Sequence, residues 1–206
     1  HEEWEDVAKI QLSEPLFPGN SIKIETPFFV KIPIVFSRFG HSGKHYEMTQ
    51  WYPKPAVYDK FGWHPMPYLN MGEFYSEFGS FDVFITLPEE YIVGATGVMP
   101  ANDLEYAWLD SLAEEGAKLN DLDKKELKKK LKKDKKSDKS FLKKISELLS
   151  KSKNTPEQII TTKTLHFHQD KVHDFAWFAD KDYIVQKGNL KLPYSENDVT
   201  LWSMYL

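Results

Sequence analysis

Apolar and polar residues alternate in several short stretches of the chain, as they do in half-buried β-strands. Ile22 and Ile24 alternate with charged residues, so residues 20–36 are predicted to be β-rich, with Pro33 at a strand edge or bulge. Further strands are predicted at Phe81–Leu87, Tyr91–Ala95, Thr164–Phe167, Tyr183–Lys187 and Val199–Tyr205. One turn is predicted from Gly40 and Gly43 together, and another at Pro88–Glu90. Many short strands separated by Pro- and Gly-marked turns favour a mainly β fold, a β-sandwich.

Between residues 102 and 160 the hydrophobic pattern changes to that of helices. Leu104, Trp108 and Leu112 recur every four residues, which places them on one helical face. Asp103 is predicted to begin this helix and Gly116 to break it. Helical spacing returns at Leu127, Leu131, Phe141, Leu142, Ile145, Leu148 and Leu149. We therefore predict two or three helices, inserted into the sandwich at about 102–160.

The insertion also differs from the rest of the chain in charge. Residues 124–153 hold fourteen Lys and four acidic residues, a local charge of +10, although the whole chain has a net charge of −4. A lysine run can attract nucleic acid or an anionic membrane. This one contains no Arg and almost no aromatic residue, whereas base recognition favours Arg and stacking needs rings. A solvated surface insertion is the interpretation we favour, with no nucleic-acid partner.

Composition limits the class of protein. A chain of 206 residues with 41% hydrophobic content can bury a core and suits a single domain with an insert. It has no Cys, so neither disulfides nor thiolate zinc ligands are available. It has no run of about 18 apolar residues, which predicts no transmembrane segment.

Residues 46–97 form a block of closely spaced aromatic residues, prolines and glycines. The prolines exclude a continuous helix, and large rings in this number are not expected in a solvated loop. We predict an ordered, irregular and largely buried layer. Within it, Trp63 and Phe78 are predicted to be core residues, and Trp51, Tyr52 and Tyr68 to be exposed.

The same block carries a family resemblance. The segments TQWYPKPAVYD at 49–59, GWH at 62–64, PYL at 67–69, GEFYSEFGSFDVFITLP at 72–88 and ATG at 95–97 occur in this order. Further segments are LFPGNSIKIE at 16–25, KIPIVFSRFGHSGKHY at 31–46 and VHDFAWFADKDYIV at 172–185. Together they resemble the amino-terminal domain of bacterial gluzincin zinc aminopeptidases, the family of aminopeptidase N and leukotriene hydrolase.

The resemblance implies a saddle-like β-sandwich that packs on a separate catalytic domain. In that family the zinc is held there by HExxH and a downstream Glu, a pattern that brings two His to one metal. No HExxH occurs between residues 1 and 206. We therefore expect a single amino-terminal domain, residues 1–206, of a longer zinc-dependent parent, with no catalytic residue, no metal ligand and no cofactor of its own.

The resemblance also implies two substrate-binding residues. In the family, a segment that begins with a Thr-Gln pair lines the active-site cleft, and a Glu or Gln two positions later holds the amino terminus of the substrate. Thr49 and Gln50 match the pair, but the later position is Tyr52. A phenol can make a hydrogen bond but cannot offer a carboxylate to an ammonium group. Gln50 and Tyr52 are the predicted contacts to a peptide substrate, with weaker anchoring of its amino terminus.

Other chemistry-bearing residues have simpler interpretations. His166 and His168 would share one face of a strand and could bind a metal with His173, but the resemblance places them in the sandwich without one. His41 and His45 are separated by Gly43, which argues against helical chelation. The carboxylates of Asp59, Glu73, Glu77, Asp82 and Asp174 are candidates for acid–base catalysis. Hydrogen bonds to backbone N–H groups or ion pairs are the favoured roles for these carboxylates, and Asp174 is predicted to be a turn or cap residue.

Two functions remain open at this point. The first is the non-catalytic domain of an aminopeptidase-like zinc metallopeptidase, which forms one wall of the substrate cleft. The alternative is a stand-alone β-sandwich module that binds peptide or glycan through its aromatic surface. The coding sequence beyond Leu206 separates them, because only the first function requires HExxH there.

Overall fold

The computed structural model of the chain describes residues 6–35, 37–69, 74–101, 103–120, 161–194 and 198–206. Ten strands and one helix are present in these ranges. In chain order they are β1 (Phe39–Ser42), β2 (His45–Met48), β3 (Val57–Asp59), β4 (Gly62–His64), β5 (Gly79–Pro88), β6 (Ile92–Ala95), α1 (Leu104–Asn120), β7 (Thr162–Val172), β8 (Trp177–Asp180), β9 (Ile184–Lys191) and β10 (Asp198–Tyr205). The described chain is therefore mainly β, with antiparallel sheets of which none closes on itself. The sandwich stays a prediction.

The chain divides into two compact units. Of the described residues, those within 1–83, 95–98 and 167–179 form unit 1, and those within 84–94, 99–166 and 180–206 form unit 2. In unit 1, β1 and β2 form a hairpin whose turn contains Gly43 at φ 60°, and β2 pairs with β8 from Met48↔Trp177 to Tyr46↔Ala179. A second hairpin joins β3 and β4. The core of unit 1 contains Met48, Val57, Phe167, Phe175 and Ala179.

In unit 2, the long strands β9 and β10 pair from Ile184↔Tyr205 to Asp198↔Lys191, and α1 packs against β9. The core of this unit contains Ile85, Tyr91, Ile92, Val93, Met99, Leu109, Ala113, Leu165 and Val185. Strands β5 and β7 each contribute residues to both units. They pair antiparallel: Asp82 contacts His168 in unit 1, and Thr86 contacts Thr164 in unit 2.

Helix α1 begins where the sequence predicts, because the Asp103 carboxylate accepts a hydrogen bond from the Glu105 N–H at 2.9 Å, the geometry of an N-cap. The predicted break at Gly116 is wrong. The helix continues through it, and a Cβ there would lie 2.2 Å from the carbonyl oxygen of Val185. Gly116 is thus required by the close approach of α1 to β9. The helices predicted at 127–149 and the lysine run lie outside the described residues.

Two further predictions for unit 1 are wrong. Residues 20–33 form no strand, and the described part of 20–36 contributes only an isolated bridge between Ile34 and His41. Gly40 is not a turn residue but lies buried within β1, where a Cβ would meet the Val35 carbonyl oxygen at 2.3 Å.

The aromatic block is less buried than predicted. Trp63 and Phe78, the two predicted core residues, are 66% and 69% exposed, because Trp63 lies on the β3–β4 hairpin and Phe78 directly precedes β5. Tyr68 is exposed as predicted, whereas Trp51 and Tyr52 are only partly exposed. The block is therefore a mixture of short strands and surface rings. Among the described residues, no helix has the length and apolar content needed to cross a membrane.

Candidate functional site

The carboxylate of Asp174 lies at the centre of a polar cluster in unit 1. Asp174 follows β7 and directly precedes the buried Phe175. Its Oδ1 accepts hydrogen bonds from the Tyr52 hydroxyl at 2.8 Å and from the Phe175 N–H at 2.9 Å. Its Oδ2 accepts from the Gln50 side-chain amide and from the Lys54 ammonium at 3.4 Å. Donors from residues 50–54 and from residue 175 therefore converge on one carboxylate.

Gln50 combines two costly features. Its φ is 55°, in the left-handed region that non-glycine residues seldom adopt. Its Oε1 is buried and has no hydrogen-bond partner within the part of the chain that the structure describes. The preceding residue, Thr49, is fixed by two hydrogen bonds to the Arg38 carbonyl, from its N–H at 3.0 Å and its hydroxyl at 2.7 Å. Strain and an unsatisfied polar atom thus occur at the same residue.

Tyr52 is held between aromatic rings. Its ring makes edge contacts with Trp51 at 5.1 Å and Phe81 at 5.8 Å between ring centroids. Burial, followed by the hydrogen bond to Asp174, raises the pKa of Tyr52 well above its ordinary value. The phenol therefore stays protonated and donates to Asp174, while its oxygen keeps lone pairs that can accept a hydrogen bond.

Lys54 balances the charge of the cluster. Its Nζ lies 3.4 Å from Asp174 Oδ2 and 5.2 Å from the centroid of the Phe74 ring, and the Lys54 and Asp174 side chains are 19% and 18% exposed. Because Asp174 accepts four donors including a cation, it is poorly suited to act as a general base. The arrangement instead offers two neutral acceptors, Gln50 Oε1 and Tyr52 Oη. Both side chains are held by hydrogen bonds to Asp174, whose charge Lys54 balances.

The structure thus brings together both residues predicted from the sequence, Gln50 and Tyr52, and connects them through Asp174. The prediction of Asp174 as a turn or cap residue is consistent with its bond to the Phe175 N–H but omits its long-range role. Asp174 lies 124 residues from Gln50, and no pattern in one sequence specifies such a pairing. The only local signal is an acidic residue beside an apolar run in VHDFAW.

The histidines take part in local contacts. His166 and His168 occupy the same face of β7, where the His166 ring stacks on Phe84 at 4.3 Å and His168 Nδ1 lies 3.1 Å from Asp82. His173 packs edge-on against Phe78. Among the described residues, no group of three or more His, Cys, Asp or Glu side chains is arranged to hold a metal ion.

Two of the remaining acidic candidates, Asp59 and Asp82, are explained by their neighbours. The Asp59 carboxylate accepts the Phe61 N–H at 2.8 Å and lies 2.8 Å from His64 Nε2. The hydrogen bond to His64, followed by that from Phe61, lowers the pKa of Asp59. Asp82 pairs with His168, and Glu73 lies outside the described residues. A pair of catalytic carboxylates is therefore not required to explain Asp59 or Asp82.

Substitutions of Tyr52 should separate the stability due to its hydrogen bond from the stability due to its ring contacts. The sequence favours an exposed Tyr52 whose truncation costs little, but the packed ring and the bond to Asp174 change this expectation. We expect Tyr52→Phe to lower the free energy of unfolding by about 1 kcal/mol, the typical net value of one hydrogen bond. Tyr52→Ala should cost about 2–3 kcal/mol because the ring contacts are also lost. Urea denaturation of the two variants measures both values.

The difference in stability between the unaltered chain and Tyr52→Phe should depend on pH. The folded pKa of Tyr52 is raised, so the neutral phenol stabilises the fold below the ordinary tyrosine pKa of about 10, and this contribution is lost as pH rises through the folded value. The stability gap between the unaltered chain and Tyr52→Phe should therefore narrow in alkaline solution. A gap that stays constant or widens would contradict the assigned environment of Tyr52.

Comparison with known proteins adds no relative to this picture, since no family model, no curated protein and no solved structure matches the chain.

Proposed function

We propose that this chain is the non-catalytic amino-terminal domain of a zinc metallopeptidase of the gluzincin aminopeptidase type. In this proposal it folds as a saddle-like β-sandwich, packs on the catalytic domain of the same parent chain and forms one wall of the peptide-binding cleft. Zinc belongs to the catalytic domain. Gln50 and Tyr52 contribute to the wall.

The observation that carries the proposal is the state of Gln50. A left-handed backbone and a buried amide oxygen without a partner each cost stability, and such features are concentrated at binding and catalytic sites. Here both occur at the residue that the Thr-Gln resemblance assigns to the cleft. A donor from a ligand would satisfy the oxygen, provided that the side chains covering it move.

The available chemistry favours a peptide N–H or ammonium group as that donor. Gln50 Oε1 and Tyr52 Oη are both acceptors, since the Gln50 amide N–H and the Tyr52 hydroxyl are already donated to Asp174. Neither carries a charge, and the Asp174 carboxylate is compensated by Lys54. The wall is therefore suited to hydrogen-bonding a peptide and less suited than a free carboxylate to anchoring an amino terminus.

Two measurements test the proposal. The coding sequence of the parent should contain HExxH beyond the codon for Leu206, and its absence would reject the peptidase assignment. In the full-length parent, Gln50→Ala should reduce kcat/KM for peptides about tenfold, since one hydrogen bond of about 1.4 kcal/mol corresponds to that factor. The control is Gln169→Ala, whose side-chain amide donates to the carbonyl of the neighbouring Asp170. Equal activity of the two variants would remove Gln50 from the cleft.

The β3–β4 hairpin supports the alternative function. Tyr58, Phe61 and Trp63 are 65%, 78% and 66% exposed, and the Tyr58 and Trp63 ring centroids are 4.9 Å apart. Exposed aromatic residues of this kind can stack on the apolar faces of peptides or sugars. In a stand-alone binding module, Trp63→Ala should abolish the NMR shifts caused by a bound peptide or oligosaccharide, and Gln50→Ala should leave them unchanged. In a cleft-forming domain, Gln50→Ala should instead reduce the NMR shifts caused by a bound peptide.

A further inference from the structure

The segment 21–27 has the sequence of a strand but lacks the pairing of one. Residues 20–33 contain no helix, turn or bend, and every residue from 21 to 30 is exposed. Ile22 and Ile24 are 49% and 57% exposed, and Lys23 and Glu25 form an ion pair of 2.5 Å on the opposite side of the alternation. An apolar face and a charged face therefore both meet solvent.

The backbone of this segment is also unpaired. From residue 21 to residue 30, no N–H or C=O group takes part in a backbone–backbone hydrogen bond with the described part of the chain. The Thr26 hydroxyl donates to the adjacent Pro27 carbonyl at 3.1 Å, a contact within the segment itself. An unpaired backbone with alternating side chains can pair with a strand from another chain.

We propose that the occupant is a second copy of this chain, which pairs antiparallel with the first through residues 21–27 of both. The two-fold axis passes beside Ile24, so that Ile24 faces Ile24 of the other copy. Lys23 then faces Glu25 and Glu25 faces Lys23, which gives two attractive cross-strand pairs on one face. The interface is self-complementary, as a two-fold contact must be.

The side chains select this register among its neighbours. A shift of two residues in one direction places Lys23 opposite Lys23, and a shift in the other places Glu25 opposite Glu25, both repulsive. A register shift of one residue places Ile24 opposite Lys23 or Glu25 of the other copy. The apolar face of one copy is then aligned with the charged face of the other. Pro27, which lacks an N–H, faces Ser21 at the end of the ladder and limits its length. The proposal does not depend on the peptidase assignment.

Charge reversal tests the pairing. Sedimentation of the 206-residue chain should show a monomer–dimer equilibrium, and Lys23→Glu or Glu25→Lys alone should weaken it about tenfold or more, because both cross-strand pairs become repulsive. The double variant, and an equimolar mixture of the two single variants, should recover dimer. Lys31→Glu and Glu14→Lys repeat the charge changes outside the segment and should have little effect. A chain that stays monomeric up to about 1 mM, or single variants that dimerise like the unaltered chain, would overturn the proposal.

The absence of cysteine from the sequence allows a test of register. Opposed residues of an antiparallel pair lie about 4.5–5.5 Å apart, which suits a disulfide. Ile24→Cys should therefore oxidise to a covalent dimer several times faster than Ile34→Cys, an exposed site outside the segment. Ile22→Cys mixed with Thr26→Cys should cross-link to each other faster than either does with itself. Equal rates for Ile24→Cys and Ile34→Cys would contradict the register.

Discussion

Phe175→Ala should be the most damaging core substitution in unit 1, with a loss of about 4 kcal/mol in the free energy of unfolding. The Phe175 side chain is 0% exposed, and its ring contacts those of Phe81 and Phe167 at centroid distances of 6.0 and 6.5 Å. Truncation removes this buried area and leaves a cavity that the surrounding β-strands can fill only in part. Chemical denaturation followed by circular dichroism measures the loss.

Phe178→Ala is the matched control, because the same truncation is made three residues later in β8, where Phe178 is 38% exposed. It should cost about 1 kcal/mol or less. Phe175→Leu keeps most of the volume and should fall between the two. If Phe175→Ala and Phe178→Ala cost the same, Phe175 is not the centre of this core.

The sequence predicts the long strands better than most of the short ones. Alternation and β-branched content identified β5, β6, β7, β9 and β10, although the predicted ends of β7 and β9 fall five and four residues short. Strands β1 to β4 and β8 were missed: each has only three or four residues, which gives little periodic pattern, and they lack the continuous apolar run that marked the equally short β6. Residues 20–33 show that alternation alone does not make a strand. Ile22 and Ile24 have the correct alternation, but a strand also needs a paired neighbour, and that depends on distant chain.

Helix α1 shows a similar limit. Its position and its cap at Asp103 follow from local chemistry, but the buried face does not follow the large residues. Leu104 is 86% exposed, while Leu109 and Ala113 are buried. Gly116, which looks like a helix breaker by propensity, is selected because the Val185 carbonyl lies where its Cβ would be. Tertiary packing therefore overrides both the periodicity and the propensity.

For the candidate site, the sequence identifies Gln50 and Tyr52 but not what holds them. Their assignment comes from the Thr-Gln pair and its family resemblance, which specify positions near one another in the chain. Asp174 enters only through folding, since the bonds from Gln50, Tyr52 and Lys54 each span 120 or more residues. The polar support of a site is set by tertiary structure, and it is there that single-sequence inference is weakest.

Asp174→Ala should cost about 3 kcal/mol, the second largest loss that we expect, because it leaves several donors without an acceptor at once. The Gln50 amide, the Tyr52 hydroxyl and the Phe175 N–H lose their bonds, and the Lys54 ammonium loses its counterion. Thermal and urea unfolding should both report the loss.

Asp174→Asn should cost roughly half as much. Its amide oxygen can still accept from Tyr52 and from the Phe175 N–H, and its NH₂ group can donate to Gln50 Oε1 if the Gln50 amide rotates by half a turn. Only the ion pair with Lys54 is then lost outright. Asp198→Ala, at an exposed position of β10, is the control and should change stability by less than about 0.5 kcal/mol. An Asp174→Ala loss as small as that of the control would show that the four donors find water instead, and that the carboxylate does not hold Gln50 and Tyr52 in place.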